Sequence, residues 1–193
     1  MKIKSVNLNS FFILIISVTI FSCIDNSNTL FFQIDSKTSN VKFNNQIIEN
    51  DTLNILNEEY VFNGGGVAAA DFDNDGKTDL FFTGNQQPNR IYLNQGDFVF
   101  KDISESAKIL AQDKWSTGVT YVDINNDNLI DIYVCAAMHK NNRDNMLFIN
   151  KGVDPQTGII SFEEKASEYG IDDSGNSMGA VFFDYNKDGL LDL

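Results

Sequence analysis

From residue 64 onward, apolar side chains come in short runs separated by polar, Asp-rich stretches. The runs at 67–70, 80–82, 119–122, 132–134 and 180–183 are mostly rich in β-branched and aromatic residues, and none is long enough to establish a helical period. They flank acidic stretches, so the pattern predicts antiparallel strand pairs whose connection is the acidic loop. Residues 91–93 and 147–149, each closed by Asn-x-Gly, predict a third strand and a turn, and 98–100 and 159–162 predict a fourth. Upstream, 30–34 and 41–43 predict brief strands. The stretch 47–60 holds Leu53, Ile55 and Leu56, too few to set a period, and stays unassigned. At the start, Lys2 and Lys4 precede a mostly apolar run at 11–21, too short to span a bilayer as a helix and sized like the apolar region of a signal peptide.

Three segments share one frame. Gly66, Gly118 and Gly179 each stand five residues before an Asp, and oxygen-bearing side chains then fall at positions 1, 3, 5 and 9. The first set is Asp71, Asp73, Asp75 and Asp79, the second Asp123, Asn125, Asp127 and Asp131, the third Asp184, Asn186, Asp188 and Asp192. Position 10 is apolar in all three: Leu80, Ile132 and Leu193. Downstream, Asn89-Arg-Ile-Tyr-Leu-Asn-Gln-Gly96 matches Asn145-Met-Leu-Phe-Ile-Asn-Lys-Gly152, and 100–102 matches 162–164. The offset grows from 52 to 61 residues between copies, the excess falling in polar stretches at 138–144 and 152–158. Four strands in about 50 to 60 residues make one blade of a β-propeller. The predicted fold is therefore all-β, a propeller of four-stranded blades with repeats starting near 64, 116 and 177, about two and a half blades in all. The 24 asparagines suit such a chain, since Asn tolerates the left-handed backbone that tight turns need.

Charge narrows the choice of partner. With 27 acidic against 14 basic residues and a formal net charge of −13, the chain cannot neutralise a row of phosphates, which excludes nucleic acid and points to cations. At 193 residues and 42% hydrophobic content it can build a core without a disulfide framework, and its two cysteines allow one bridge at most. The run Ile20-Phe21-Ser22-Cys23 resembles a bacterial lipobox, which assigns 1–22 as a lipoprotein signal peptide, Cys23 as the lipidated residue, 23–40 as a tether and 41–193 as a partial propeller. On this reading the protein is exported and lipid-anchored in the bacterial outer membrane or at the cell surface, touching membrane through the anchor only. Cys135 is then unpaired and reads as a small buried strand residue.

The nonapeptide loops carry the chemistry. Four carboxylates within nine residues of the first loop repel one another by about 4 kcal/mol per pair at ~4 Å and an effective dielectric near 20, so the loop needs a cation to close. Hard oxygens with no His or Cys select Ca²⁺ over zinc or copper, and a flexible set of about 6 to 8 oxygens favours it over Mg²⁺. The spacing assigns the side chains at 1, 3, 5 and 9 and the main-chain carbonyl at 7, from Lys77, Leu129 or Leu190, as ligands. Position 6 demands a sharp turn, supplied by Gly76, Asn128 and Gly189. The first loop, with four carboxylates, should bind tightest. An EF-hand or dockerin-like helix shares the opening Asp-x-Asn-x-Asp-Gly, but an EF-hand needs Glu at position 12, where Phe82 and Val134 stand, and helices on both sides.

These segments resemble the FG-GAP or VCBS repeats of calcium-binding β-propellers. More closely, Gly64-Gly65-Gly66, Asn89-Arg-Ile-Tyr-Leu-Asn94, Trp115-Ser-Thr-Gly118 and Ala180-Val-Phe-Phe-Asp184 resemble surface lipoproteins of the cartilage acidic protein, ASPIC/UnbV type. The resemblance covers roughly residues 40 to 193. It implies a propeller, often seven-bladed, with calcium in the first hairpin of some blades, a further domain beyond it, and a role in extracellular binding or adhesion. Because a propeller closes with about four to eight blades, the sequence reads as the N-terminal piece of a longer protein.

Catalytic signals are weak. His139 is the sole histidine and lies in the polar loop 138–144, with no second His or motif-borne Ser to make a triad. Trp115 reads as packing between blades in preference to a sugar-stacking surface, and Glu163, Glu164, Asp172 and Asp173 as solvated rim charges. Two function classes follow. One is a non-catalytic surface module in which calcium stiffens the hairpins and the loops bind an extracellular protein or polysaccharide. The other is the propeller part of a calcium-dependent polysaccharide-active enzyme such as a lyase.

Overall fold

Each acidic loop of the first two repeats turns the chain between two antiparallel strands. In the computed structural model, which describes residues 30–138 and 142–193, β1 (Val67–Ala70) pairs with β2 (Asp79–Phe82), with Ala70 opposite Asp79. The second repeat repeats this register: β5 (Ser116–Val122) pairs with β6 (Asp131–Ala136), with Val122 opposite Asp131. Two further strands complete each sheet, β3 (Arg90–Asn94) and β4 (Phe100–Asp102) in the first, β7 (Met146–Val153) and β8 (Ile160–Glu164) in the second. Both sheets are four-stranded meanders in sequence order, the form of propeller blades. The protein is nearly all-β, and among the described residues the helices are two single turns, α1 (Ser36–Ser39) and α2 (Ala166–Tyr169). No helix among the described residues is long and apolar enough to cross a membrane.

The sheets bury their facing sides against each other. Phe72, Phe81 and Ile91 of the first repeat, Ile132, Val134, Phe148 and Phe162 of the second, and Ile103, Ala107 and Ile109 from the connection form one core. Phe72 meets Phe162 edge to face at 6.4 Å. Period-2 alternation holds in β2, where Asp79 and Phe81 are buried, but β6 is buried at every position because its other face is also covered. There Tyr133, Cys135, Leu147 and Ile149 pack against Ile171, in the connection after α2, and Phe182 of the third repeat, with the Tyr133 hydroxyl donating to the Ile171 carbonyl at 2.7 Å. Trp115 is buried immediately before β5.

The two blades meet closely along their first strands. The Gly66 amide donates to the Thr117 carbonyl at 2.8 Å, and the Thr83 hydroxyl donates to the same oxygen. A Cβ on Gly66 would sit 2.9 Å from the Val119 nitrogen, and one on Gly118 would sit 2.5 Å from the Met178 carbonyl oxygen. Gly66 and Gly118 therefore serve close backbone approach between neighbouring repeats.

Four local expectations are corrected. Residues 30–34 and 41–43 form no strand. Asp35 instead caps α1, its carboxylate accepting from the Lys37 and Thr38 amides at 2.9 and 2.7 Å, and Phe43 lays its ring on Phe82 at 5.1 Å. The fourth strand of the first blade starts at Phe100 rather than at residue 98, because Asp97 and Phe98 adopt φ of 50° and 59° in the turn. In the third repeat the expected strand pair reduces to one bridge, Phe183 with Asp192. Val181, Phe183, Leu190 and Leu191 are exposed there, and a hairpin without a third strand to cover it is marginal. The unassigned stretch 47–60 is a set of turns organised by the Asn50 side chain, which accepts from the Thr52 and Leu53 amides, both at 2.9 Å. Cys23 and His139 lie outside the described residues.

Candidate metal-binding loops

Three loops close in the same way on their own backbone. In the first, Asp71 accepts from the Asp75 amide at 3.1 Å and the Gly76 amide at 2.8 Å, Asp73 accepts from Asp75 at 3.2 Å, and Asp75 accepts from Lys77 at 2.9 Å. In the second, Asp123 accepts from Asp127 and Asn128, Asn125 accepts from Asp127, and Asp127 accepts from Leu129. The third does likewise with Asp184, Asn186, Asp188, Gly189 and Leu190. Two residues per loop are left-handed. Position 6 is Gly76, Asn128 or Gly189, and position 4 is Asn74, Asn126 or Lys187, with φ near 60° at the latter. The second bend had a legible signal, since Asn recurs at position 4 in two of the loops.

Position 9 is held from beneath. Asp79 and Asp131 are fully buried; each accepts the amide of position 2, from Phe72 at 2.9 Å and Ile124 at 3.1 Å. Their other oxygens accept the amides of Asn94 and Asn150, both at 2.8 Å. Asp192 accepts the Tyr185 amide at 2.8 Å. These asparagines, read in the sequence only as turn formers, thus orient the deepest carboxylate of each complete blade. Their side chains also bond the loop backbone, Asn94 to the Thr78 carbonyl and Asn150 to those of Ile130 and Phe72.

One oxygen each from Asp71, Asp73 and Asp79 lies within 4.8 Å of the others. Burial pushes the Asp79 carboxyl up to about 6, against the opposing pull of the Asn94 and Phe72 amides. Burial also raises Asp131, and raises Asp73 together with the charge of Asp75. Asp75 is engaged by Lys77. Its outer oxygen receives the Lys77 ammonium, which holds its carboxyl below the usual range. Asp127 and Asp188 are tied in the same fashion by the side-chain amides of Asn125 and Asn186, at 2.9 and 2.8 Å. Each carboxylate of the triad keeps lone pairs beyond those its amide donors use, so the donor set is hard oxygen throughout and fits a hard divalent cation.

The geometry coincides with a known repeat. Residues 71–134 match the FG-GAP-like repeat family. The match runs from the first residue of the first loop through most of β6. Among curated proteins, the chain is similar to cartilage acidic protein 1 of Homo sapiens, 32% identical over 133 residues that cover 67% of this chain and 20% of that protein. The Mus musculus protein of the same name is 31% identical over the same length. A T-cell immunomodulatory protein homolog of Plasmodium yoelii yoelii is 29% identical over 181 residues, 84% of this chain and 25% of that protein. The chain thus matches the FG-GAP-like repeat family over about a third of its length and spans about a fifth of the length of the first two relatives.

Proposed function

We propose that this chain is a calcium-binding, non-catalytic β-propeller module of an exported, lipid-anchored surface protein, and that its loops bind an extracellular protein or polysaccharide. The observation that carries the reading is the convergence of Asp71, Asp73 and Asp79 in a loop whose closure recurs in the other two repeats. Calcium there neutralises carboxylates that burial and mutual repulsion disfavour, and so stiffens each hairpin at the loop end. The loops at 71–79, 123–131 and 184–192 are the sites, with the carbonyls of Lys77, Leu129 and Leu190 completing them. Export and anchoring at Cys23 rest on the lipobox-like run, and a name that includes cartilage, carried by the similar proteins, agrees with an extracellular setting.

Titration of the full chain with calcium chloride by calorimetry, with thermal melts in calcium and in chelator, tests this. Binding of two or more ions with a raised melting temperature is the expected result, reduced in an Asp71→Asn, Asp73→Asn variant. A folded chain that takes up no calcium and melts identically in chelator would refute the reading.

A further inference from the structure

The first two acidic loops are joined to each other. Asn150, 1% exposed at the end of the β7 ladder with β6, donates its main-chain amide to Asp131 and its side-chain amide to the Phe72 carbonyl at 2.8 Å. Phe72 in turn donates its own amide to Asp79. The position-9 carboxylates of two different blades are therefore linked through one buried asparagine and one loop residue. A second bridge runs across the top: the Asn74 side chain donates to the Asn128 carbonyl at 3.0 Å, and the Asn128 amide donates to Asp123. Each bridge joins position 2 or 4 of the first loop to a position-1 or position-9 carboxylate of the second.

We infer that Asn74 and Asn150 couple the two loops, so that calcium bound in the first raises the affinity of the second; this rests on the calcium reading above. Closure of either loop requires its carboxylates to converge against their repulsion. Closing the first loop fixes Phe72, whose carbonyl shares the Asn150 side-chain amide with the Ile130 carbonyl, and Asn74, which donates to the Asn128 carbonyl. The second loop then has less conformational freedom left to lose when its own ion arrives. Asn94, which matches Asn150 in the first blade, bonds only its own loop through the Thr78 carbonyl and supplies the internal comparison.

The test is calorimetric titration of the full chain with calcium chloride in a thermodynamic cycle. Asp71→Asn, Asp73→Asn disables the first loop, and Asn74→Gly removes the upper bridge while keeping the left-handed backbone that Ala would strain. Coupling predicts that disabling the first loop weakens the second by about five-fold or more when Asn74 is present. In the Asn74→Gly background that loss shrinks, and protection of the Asn128 amide in hydrogen exchange no longer depends on the first loop. The wild-type isotherm, which needs no variant, should be steeper than that of independent sites. Independent binding with equal second-loop affinity in every background would overturn the coupling and leave the calcium reading standing. Absence of any calcium uptake would overturn both.

Discussion

At the scale of single residues, the repeat glycines and Cys135 show how burial decides what a position tolerates. Gly118 has the Met178 carbonyl oxygen and the Gly179 Cα within 2.8 Å of where a Cβ would stand, whereas a Cβ on Gly179 meets nothing within 4 Å. Gly118→Ala must push two repeats apart, at about 1–3 kcal/mol, the usual cost of overpacking. Gly179→Ala should be nearly neutral. Urea unfolding of the two variants checks this, and equal midpoints would show that the glycine frame is not about close approach. Cys135 is inert for a related reason. Its side chain is buried in β6, and burial alone pushes the thiol up to about 11. Because the thiolate is the reactive species, alkylation at about pH 8 followed by peptide mapping should leave Cys135 unmodified in the native chain and modify it fully in denaturant. Labelling of the native chain at the denatured rate would refute this.

At the scale of elements, the acidic loops and the strands that flank them were legible because they repeat. A short apolar run on each side of an Asp-rich turn leaves few alternatives, and β1, β2, β5 and β6 lie where the pattern put them. What depends on distant partners was not legible. Strands predicted at 30–34 and 41–43 had the composition but no neighbour to pair with, and the third repeat has its loop without the ladder. Asn150 is the sharpest case. Its Asn-x-Gly context announces a turn, which it makes by accepting the Gly152 amide at 2.8 Å, yet its bond to Phe72 lies 78 positions away and has no local signature. Asn94 makes the same turn with Gly96 and lacks the bond to another blade. Comparing Asn150→Ala with Asn94→Ala therefore isolates the bridge. The first should cost about 1–3 kcal/mol more in urea unfolding, since it strands the buried Phe72 carbonyl and the part-buried Ile130 carbonyl. Equal losses would mean that the turn, not the bridge, is what these asparagines supply.

At the scale of the molecule, the two complete blades share one core, and this has a consequence for how they unfold. Phe72 leads out of the first blade's inner strand, yet its ring sits against Phe162 of β8, while Phe81 and Ile91 belong to the same buried cluster as Ile132 and Phe148. The first sheet's clustered core residues all lie in this shared core, whereas the second sheet also buries its other face against Ile171 and Phe182. Truncating Phe162 to Ala removes a ring that is 3% exposed and opens a cavity at the seam, at about 3–5 kcal/mol, a large share of the 5–15 kcal/mol by which domains are commonly stable. If the seam is a common core, the loss is felt on both sides of it. Amides of β2 and β6, Phe81 and Val134 among them, should lose hydrogen-exchange protection together and by similar factors, although the substitution lies in the second blade only. A variant in which β6 exchanges faster while β2 keeps its protection would show that each sheet is stable by itself. The blades would then be linked mainly through Asn74, Asn150 and the Gly66–Thr117 bond of their first strands.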